Sequence, residues 1–323
     1  MTARAVTRLP FAAPYLASAA IQRRSRASLL GGAQAGLATR PDAPHVPGRH
    51  RHPALQRLLV LALGATLQVA PAAHAQPADP DVADYINPDR PGIADGSNVV
   101  GAGRFQIETG LQQEYRRSDG VRAQRLFIPT LLRLGLNENL EARIEGNTYT
   151  RMTAYDPAQG NFRTEGSAPA SIGLKYHFVD SGGLKQPSLG ALVRVFPPSG
   201  SGSFRTSHAT GDFRLAADWD FAPQWSLNPN VGVGMYEDEG QRLYTAGLLA
   251  VTLNYNPSKV LNFFVDTGIQ APETKRGKTS IIFDVGAAYV IGRNVQIDLS
   301  VGLGAAGATP PRLFLAAGIS ARF

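Results

Sequence analysis

From residue 104 onward, apolar and polar residues alternate with a period of two, in segments of about ten residues. The clearest example is 295–303, where one side carries Val295, Ile297, Leu299, Val301 and Leu303 and the other carries Gln296, Asp298, Ser300 and Gly302. The segments 281–289 and 261–269 repeat this pattern. Because successive side chains of a strand point to opposite faces, each segment predicts a strand with one apolar and one polar face.

Twelve such segments predict an all-β chain that folds as an antiparallel up-and-down transmembrane β-barrel over 104–323. Their ranges are 104–116, 124–136, 140–151, 170–179, 188–197, 211–221, 226–236, 242–255, 260–270, 279–291, 294–304 and 311–323. An even number of strands is typical of single-chain bacterial barrels. Pro129 and Pro229 lie inside two of the segments and predict a bulge or broken pairing, because proline cannot donate to the ladder.

The connections between the segments alternate in length. Residues 137–139, 222–225, 256–259 and 292–293 form short links, whereas 152–169, 198–210 and 271–278 form long polar ones. Barrels of the bacterial outer membrane have short periplasmic turns and longer external loops. The link 180–187 is long for a turn and 237–241 is short for an external loop, so the alternation is incomplete. With an even strand count, both ends of the barrel are predicted on the periplasmic side.

Aromatic residues lie on the apolar faces beside the predicted short turns. They are Tyr176, Phe178, Trp219, Phe221, Tyr255, Tyr289 and Phe323, and they predict an aromatic girdle at the membrane interface. Phe323 ends the chain on the same face as Leu313, Leu315 and Ile319. A last strand that ends in Phe resembles the terminal signal read by the barrel-assembly machinery, which is therefore an expected partner, together with outer-membrane lipid.

The first 75 residues have the features of an exported leader. A basic stretch at 49–57 precedes the apolar run 58–69 and the sequence Ala73-His74-Ala75, which predicts a signal peptide cleaved after Ala75. The apolar run is shorter than the roughly 20 residues that a spanning helix needs. Residues 1–48 show no sustained periodicity of apolar residues. We interpret them as sequence that lies upstream of the true start codon. The expected location is the bacterial outer membrane.

The net charge of +7 belongs to this leader. Residues 1–75 contain nine of the 32 basic residues and one of the 25 acidic residues, which leaves 23 basic and 24 acidic residues in 76–323. A nucleic-acid partner is not expected, since it would need a basic patch on the folded domain.

Few residues could carry catalysis or bind a metal. The chain has no cysteine, and His177 and His208 are the only histidines after residue 75. They have no metal-ligand spacing, so neither a metal nor a cofactor is expected. Ser207 precedes His208, but adjacent residues on a strand point apart, so His208 is interpreted as a solvated loop residue. The sequence therefore favours a protein that is not an enzyme, and a barrel enzyme such as a lipid hydrolase is the less favoured alternative.

The predicted inward face carries charges of both signs. These lumen candidates are Arg104, Glu108, Arg125, Arg133, Glu141, Arg143, Glu145, Lys175, Arg194, Asp212, Arg214, Asp218, Asp220, Asp266, Asp284, Asp298, Arg312 and Arg322. They either shape what passes through a polar conduit or form ion pairs that fill the lumen. Basic residues are denser in the first five predicted strands and acidic residues in the sixth to eleventh, which predicts a transverse field across the lumen.

Residues 76–103 precede the first predicted strand and contain many turn formers and little periodicity. The segment is too polar to cross a membrane. It is interpreted as a plain periplasmic linker or, alternatively, as a partial plug of the lumen.

Three short motifs resemble one family. Asp89-Arg90-Pro91-Gly92 and the octapeptide GRFQIETG at 103–110 are similar to the opening of the "MetA-pathway of phenol degradation" transporter family. Thr210-Gly211-Asp212 is also similar to the family pattern, although residues 199–209 separate it here from Phe196-Pro197-Pro198. The resemblance covers 76–323 and implies an outer-membrane barrel associated with uptake of aromatic or apolar compounds. It assigns no functional residues.

Together these observations predict a monomeric barrel that gives small solutes passive or facilitated passage, with hydrophobic or aromatic compounds as the implied cargo. A barrel of twelve strands is narrow enough for inward side chains nearly to fill it. A structural or ligand-binding barrel with a closed lumen is therefore the main alternative.

Overall fold

A computed structural model of the chain describes residues 84–118, 120–158, 160–238, 240–270, 279–306 and 311–323. The predicted signal peptide and its cleavage site at Ala75 lie outside the described residues, and so does the predicted loop 271–278. Among the helices that are described, none is long and apolar enough to span a membrane.

The described residues form thirteen strands and two single 3₁₀ turns, Gly183–Lys185 and Gly202–Phe204. The strands are β1 (Phe105–Ser118), β2 (Val121–Gly135), β3 (Leu140–Asp156), β4 (Gly160–Gly166), β5 (Ser171–Val179), β6 (Ser188–Phe196), β7 (Thr210–Ala222), β8 (Trp225–Glu237), β9 (Leu243–Tyr255), β10 (Leu261–Gln270), β11 (Ser280–Ile291), β12 (Val295–Ala306) and β13 (Leu313–Arg322).

Twelve of these strands form a closed antiparallel ring, as the sequence predicts. Each strand pairs with its neighbour along the chain, and β13 pairs with β1 to close the ring. The thirteenth strand, β4, lies outside this order. It pairs with the outer part of β3, from Thr150 to Asp156, whereas the inner part of β3 pairs with β5.

The β3–β4 hairpin corrects the prediction of a long loop over 152–169. The strand β3 continues to Asp156, and the chain returns as β4 before β5 begins. Its sequence GNFRTEG has no apolar face, and its residues are exposed or half-buried. Because the hairpin lies on the long-loop side, neither face has to be apolar, and no period-two signal marks it.

The two ends of the barrel meet at the seam between β1 and β13. The amide of Phe323 donates to the carbonyl of Phe105 at 2.7 Å, and the amide of Phe105 donates to the carbonyl of Phe323 at 3.1 Å. The two rings stack with their centroids 6.2 Å apart. The terminal phenylalanine therefore closes the ring at the short-turn end.

Both interior prolines coincide with irregular pairing. The register between β2 and β3 shifts at Ile128 and Pro129. The pairing between β7 and β8 is interrupted between Asn230 and Leu227, at Pro229, while β9 still pairs with Pro229 on the other side. Both irregularities follow from the missing amide hydrogen of proline.

The wall is apolar outside and polar inside, the reverse of a water-soluble protein. On β11, Phe283 is 41% exposed on the outward face, whereas Asp284 is 2% exposed on the inward face. The predicted girdle residues Tyr176, Phe178, Trp219, Phe221, Tyr289 and Phe323 are exposed near the short turns, and Tyr255 is half-buried there against Trp225. The exposed Phe105 and Trp225, which are not among the predicted girdle residues, lie at the same level.

Candidate functional site

The described part of the segment before β1 lies inside the ring. We call residues 84–103 the plug. Ser97 is completely buried, and Asp95 and Ile86 are almost so. The amide of Ile86 donates to the carbonyl of Arg293 at 2.7 Å, and the amide of Val100 donates to Glu141 of β3 at 3.0 Å. This polar segment therefore contacts the inward face of the wall along most of its length.

The carboxylate of Asp89 is held by three cations of the wall. Its Oδ2 lies 2.7 Å from Nη1 of Arg143 on β3, 2.8 Å from Nζ of Lys175 on β5 and 3.7 Å from Nη1 of Arg133 on β2. Burial raises the pKa of Asp89, but attraction by Arg133, Lys175 and Arg143 outweighs burial, and the net pKa lies well below its ordinary value. Asp89 is therefore a carboxylate at every physiological pH.

The next residue, Arg90, is held by acids from other strands. Its Nη2 lies 3.0 Å from Oδ1 of Asp298 on β12, and its amide donates to Glu108 of β1 at 2.9 Å. The amide group of Gln296 donates to the carbonyl of Arg90 at 3.1 Å. The peptide bond between Arg90 and Pro91 is cis. The plug thus presents opposite charges to the wall at two consecutive residues.

A third charged anchor is Asp95. Its Oδ2 accepts a hydrogen bond from Nη1 of Arg214 on β7 at 2.7 Å, and its Oδ1 lies 3.4 Å from Nη2 of Arg143. The backbone of Asp95 also exchanges two hydrogen bonds with the side chain of Asn230, at 2.7 and 2.8 Å. Burial raises the pKa of Asp95, but Arg214 and Arg143 outweigh burial and the net pKa is lowered.

The charges of the plug complement the charges of the wall. Its two buried acids, Asp89 and Asp95, face the basic residues of β2, β3, β5 and β7. Its cation Arg90 faces Asp298, and the amide of Ile93 donates to Asp266 of β10 at 2.9 Å. The charged residues of the wall therefore bind the plug.

Inward-facing glycines make room for the plug. Gly110 of β1 and Gly318 of β13 are paired directly, and an added Cβ at either position would overlap the guanidinium of Arg90. A Cβ at Gly190 would lie 2.5 Å from the carbonyl oxygen of Ser97, and one at Gly268 would lie 2.8 Å from the side chain of Ile93. These glycines form recesses in the wall that any larger residue would fill.

Most of the predicted lumen residues are buried on the inward face. Glu108, Arg133, Arg143, Arg194, Arg214, Asp266, Asp284 and Asp298 are each at most 7% exposed, as are Arg125, Glu141, Lys175 and Asp212. Glu145, Asp218 and Arg322 are half-buried, whereas Arg104, Asp220 and Arg312 are exposed. Arg312 lies just before β13 on the long-loop side, and Arg104 pairs with Asp84 at 2.6 Å.

Several of these residues pair within the wall and not with the plug. Arg194 lies 2.6 Å from Glu145 and 2.7 Å from Asp212. Asp266 and Asp284 are direct neighbours across the β10–β11 ladder. The lumen therefore combines ion pairs within the wall with ion pairs that anchor the plug.

The plug anchors Asp89, Arg90 and Asp95 are not among the residues predicted from the sequence. The same holds for the buried pair Glu114 and Arg116 on β1, whose side chains lie 3.1 Å apart. The charged residues of the plug lie in a segment without periodicity. No alternation of apolar and polar residues therefore predicts which way their side chains point. The signal available for two of them was the Asp89-Arg90-Pro91-Gly92 motif itself.

Two cavities border the plug. The larger, about 410 Å³, lies at the short-turn end and is mostly polar, with a hydrogen-bonded chain of Asn228, Asn254, Asn262 and Asn256 along one side. The smaller, about 40 Å³, is mostly apolar and is lined by Ile93 of the plug and by Leu131 and Phe196 of the wall. A polar vestibule and a small apolar pocket thus lie on the surface of the same segment.

The two histidines are separate from one another. His177 is buried between the carbonyl of Ser97 at 3.3 Å and Asp180 at 2.9 Å. His208 is partly exposed, with its Nδ1 3.3 Å from Glu237. The described part of the chain contains no group of three His, Cys, Asp or Glu side chains arranged to hold a metal ion.

Comparison with known proteins agrees with this architecture. The profile of the family described as "Putative MetA-pathway of phenol degradation" matches residues 88–323. The outer membrane channel from Pseudomonas putida F1 superposes with a TM-score of 0.60 at 12% identity, covering 70% of this chain and 98% of that one. At this identity the likeness shows the fold.

Two other solved structures superpose less closely. The CymD monoaromatic hydrocarbon channel has a TM-score of 0.40 at 10% identity and covers 69% of this chain and 89% of its own. The Ralstonia pickettii toluene transporter TbuX has a TM-score of 0.40 at 12% identity, with 69% and 90% covered. No curated protein sequence matches this chain.

Proposed function

Because this chain belongs to the family described as "Putative MetA-pathway of phenol degradation", we propose that it resides in the outer membrane and gives small hydrophobic or aromatic solutes passive or facilitated passage. The plug is the gate of this passage. Export by the predicted signal peptide, assembly by the barrel-assembly machinery and the absence of enzymatic activity belong to the same proposal. Supporting it are the barrel fold and the channel-like neighbour of the same architecture.

The proposal that the plug is a gate rests on the contacts that hold the plug in the lumen. Asp89, Arg90 and Asp95 bind wall residues from β1, β2, β3, β5, β7 and β12, which surround the lumen. A cavity that binds benzene measures roughly 150 Å³. The apolar pocket beside Ile93 is about 40 Å³, so an aromatic solute enters it only when the plug shifts. The charged wall residues then line the opened conduit.

The cargo part rests on the family description and on the chemistry of this pocket. Ile93, Ala94, Leu131 and Phe196 present apolar surface beside the plug. A hydrophobic solute would gain contact with these side chains as the plug moved. The pocket is also lined by charged residues that are held in ion pairs, namely Asp89, Arg90, Asp95, Glu108, Arg143 and Glu145.

A pair of engineered cysteines tests the gate. The hydroxyl oxygens of Ser97 and Ser188 lie 2.7 Å apart, and the chain has no native cysteine, so Ser97→Cys with Ser188→Cys ties the plug to β6 when oxidised. In proteoliposomes, we expect the reduced variant to take up a small phenol as the native barrel does and the oxidised variant to take up at most about a tenth as much. The single variants, treated with the same oxidant, are the controls.

The second candidate function is a structural or ligand-binding barrel with a closed lumen. The many buried polar contacts of the plug favour it. The two candidates differ in single-channel recordings, where a closed barrel stays silent with the cysteine pair reduced or oxidised. Equal phenol uptake by both redox states, or none by the native protein, contradicts the gated passage. Hydrolysis of lipid by the purified barrel would instead support a barrel enzyme.

A further inference from the structure

A group of four arginines lies on the outward face of the wall near the long-loop end. Arg117 of β1 is paired directly with Arg122 of β2, and Arg122 is paired with Tyr155 of β3. Residues in direct register on an antiparallel ladder share a face. Because Arg116 and Ala123 are buried on the inward side, Arg117 and Arg122 project outward, and both are exposed.

The other two arginines continue this surface onto β3 and β4. Arg151 is paired with Leu126 of β2 and with Glu165 of β4, and Arg163 is paired with Thr153. Their inward neighbours Met152 and Ala154 are buried, which places Arg151 and Arg163 on the outward face. Strands lie about 4.8 Å apart, so the four arginines occupy one surface four strands wide. We call Arg117, Arg122, Arg151 and Arg163 the external basic patch.

Acids neutralise little of this patch. Glu165 lies 3.0 Å from Arg163 and also accepts a hydrogen bond from Tyr149 at 3.0 Å. Among the described residues on the outward faces of β1 to β4 near this end, Glu165 is the one acid; Asp119 of the β1–β2 turn lies outside the described residues. Two like charges placed directly opposite each other, as Arg117 and Arg122 are, destabilise a ladder unless an anion lies between them.

The outward faces across the seam are different. At the same end of the barrel, the outward faces of β11 to β13 carry Ile281, Phe283, Leu303 and Leu313, which are 39 to 47% exposed. A general requirement for charge on the outward strand faces near this end would place basic residues on these faces as well. Around the basic patch, the outward aromatics are instead Tyr115 and Tyr155, which are 38% and 49% exposed and are suited to a membrane interface.

From this asymmetry we infer that the external basic patch binds the phosphate groups of the glycolipid that forms the outer leaflet of the outer membrane. An arginine on the lipid face costs free energy in hydrocarbon but little at headgroup depth, where it meets phosphate. Its guanidinium donates paired hydrogen bonds that match phosphate oxygens. The tyrosines contribute hydroxyls at the same depth. This inference rests on the proposed outer-membrane location and is independent of whether the lumen conducts.

The test is a binding measurement on the full-length protein purified in detergent. The variant R117Q/R122Q/R151Q/R163Q removes the patch, and R104Q/K185Q/K259Q/R293Q removes the same number of charges from exposed positions at the short-turn end. With purified lipid A as the probe, we expect the patch variant to bind at least about tenfold more weakly than the native protein and the control variant to bind as the native protein does. Lipid A freed of its phosphates binds all three proteins equally weakly.

Four results overturn the inference. One is equal affinity of the native and patch variants for lipid A, and another is an equal loss in the patch and control variants, which would make net charge the cause. The third is tight binding of the phosphate-free lipid. Saturation of the patch by millimolar inorganic phosphate with no preference for lipid A also counts against a glycolipid site. Because detergent-solubilised protein gives these readings without a bilayer, a silent channel leaves them unchanged.

Discussion

Asp89 and Arg90 are consecutive in the chain but are bound by strands that lie five steps apart around the ring: Lys175 of β5 holds Asp89, and Asp298 of β12 holds Arg90. The two side chains therefore reach widely separated parts of the wall from one point in the lumen. Neither contact alone would place a polar segment there, because a buried ion pair loses much of its attraction to desolvation. The two contacts together fix the position of the plug across the barrel.

Replacing Asp89 with Asn should release the plug. The change leaves Lys175 and Arg143 without their shared carboxylate, and removing one partner of a buried ion pair typically costs about 3–5 kcal/mol. Each 1.4 kcal/mol is tenfold in population, so the population of the displaced state should rise by about two to three and a half orders of magnitude. Single-channel recordings should show a corresponding rise in open probability.

Asp84→Asn is the matched control for this variant. Asp84 also pairs with arginines, Arg104 and Arg322, but its side chain is 51% exposed. An exposed pair contributes about 0–1 kcal/mol, so the open probability of this variant should stay near the native value. An unchanged open probability in Asp89→Asn would show that Asp89 does not hold the plug.

Gly318→Ala should weaken the seat of Arg90 without touching any charge. The added methyl group would occupy the space of the guanidinium, so Arg90 has to leave its contact with Asp298. We expect faster amide exchange of residues 88–93 and a higher open probability. Gly247→Ala is the control, because a Cβ there meets no atom closer than 4.0 Å. Native-like exchange in Gly318→Ala would contradict the proposed recess.

Lowering the pH from 7 to 5 should not break the contacts of the Asp89 carboxylate that hold the plug. The folded-state pKa of Asp89 is lowered, so its contribution to stability is complete above its ordinary value of 3.8 and is lost only as the pH falls through the lower folded value. The amide of Gly96 donates to Asp89 at 2.8 Å and reports on this anchor. Its exchange protection, corrected for the intrinsic rate, should be the same at pH 7 and pH 5.

In Asp89→Asn the protection of Gly96 should be lost at both pH values. A fall in protection between pH 7 and pH 5 in the native protein would show that the anchor depends on another titrating group. The next group to test would then be the carboxylate of Asp266, which accepts a hydrogen bond from the amide of Ile93.

The acidic side of the lumen should determine ion preference once the plug is released. Asp284 is buried on β11, and its closest charged neighbour across the ladder is Asp266. Two buried neighbouring carboxylates share a proton, so both have to be replaced to remove the negative charge of the pair. In the Asp89→Asn background, adding Asp266→Asn and Asp284→Asn together should reduce cation preference in reversal-potential measurements under a salt gradient. Ser300→Ala in the same background is the control, since it alters a buried inward residue of β12 without changing charge. Identical reversal potentials with and without the two carboxylates would contradict a transverse field.

The barrel could be predicted from the sequence because the face on which a wall residue lies depends only on its position within its own strand. This parity places Phe283 outward and Asp284 inward. The ring closes where Phe323 meets Phe105. The same parity identified most of the buried charges. Arg104, Asp220 and Arg312 are exposed, and β4, which has no apolar face, was not predicted.

The plug could not be predicted in the same way. Asp89, Arg90 and Asp95 follow no period, and their partners in the wall lie between 18 and 208 residues away in the chain, from Glu108 to Asp298. The glycines Gly110, Gly190 and Gly318 mark the recesses, but in sequence they resemble any inward glycine of a crowded barrel. Only the closed ring shows that these positions surround one segment.

The plug is continuous with β1, and Gly103 and Arg104 are hydrogen-bonded to the rim beside it. A segment that leaves the lumen therefore stays tethered at the short-turn end of the same molecule. Its effective concentration at its own seat is on the order of millimolar or higher, as for any short linker. Rebinding is then intramolecular and independent of protein abundance, so each opening ends by itself, without a second protein to close the barrel.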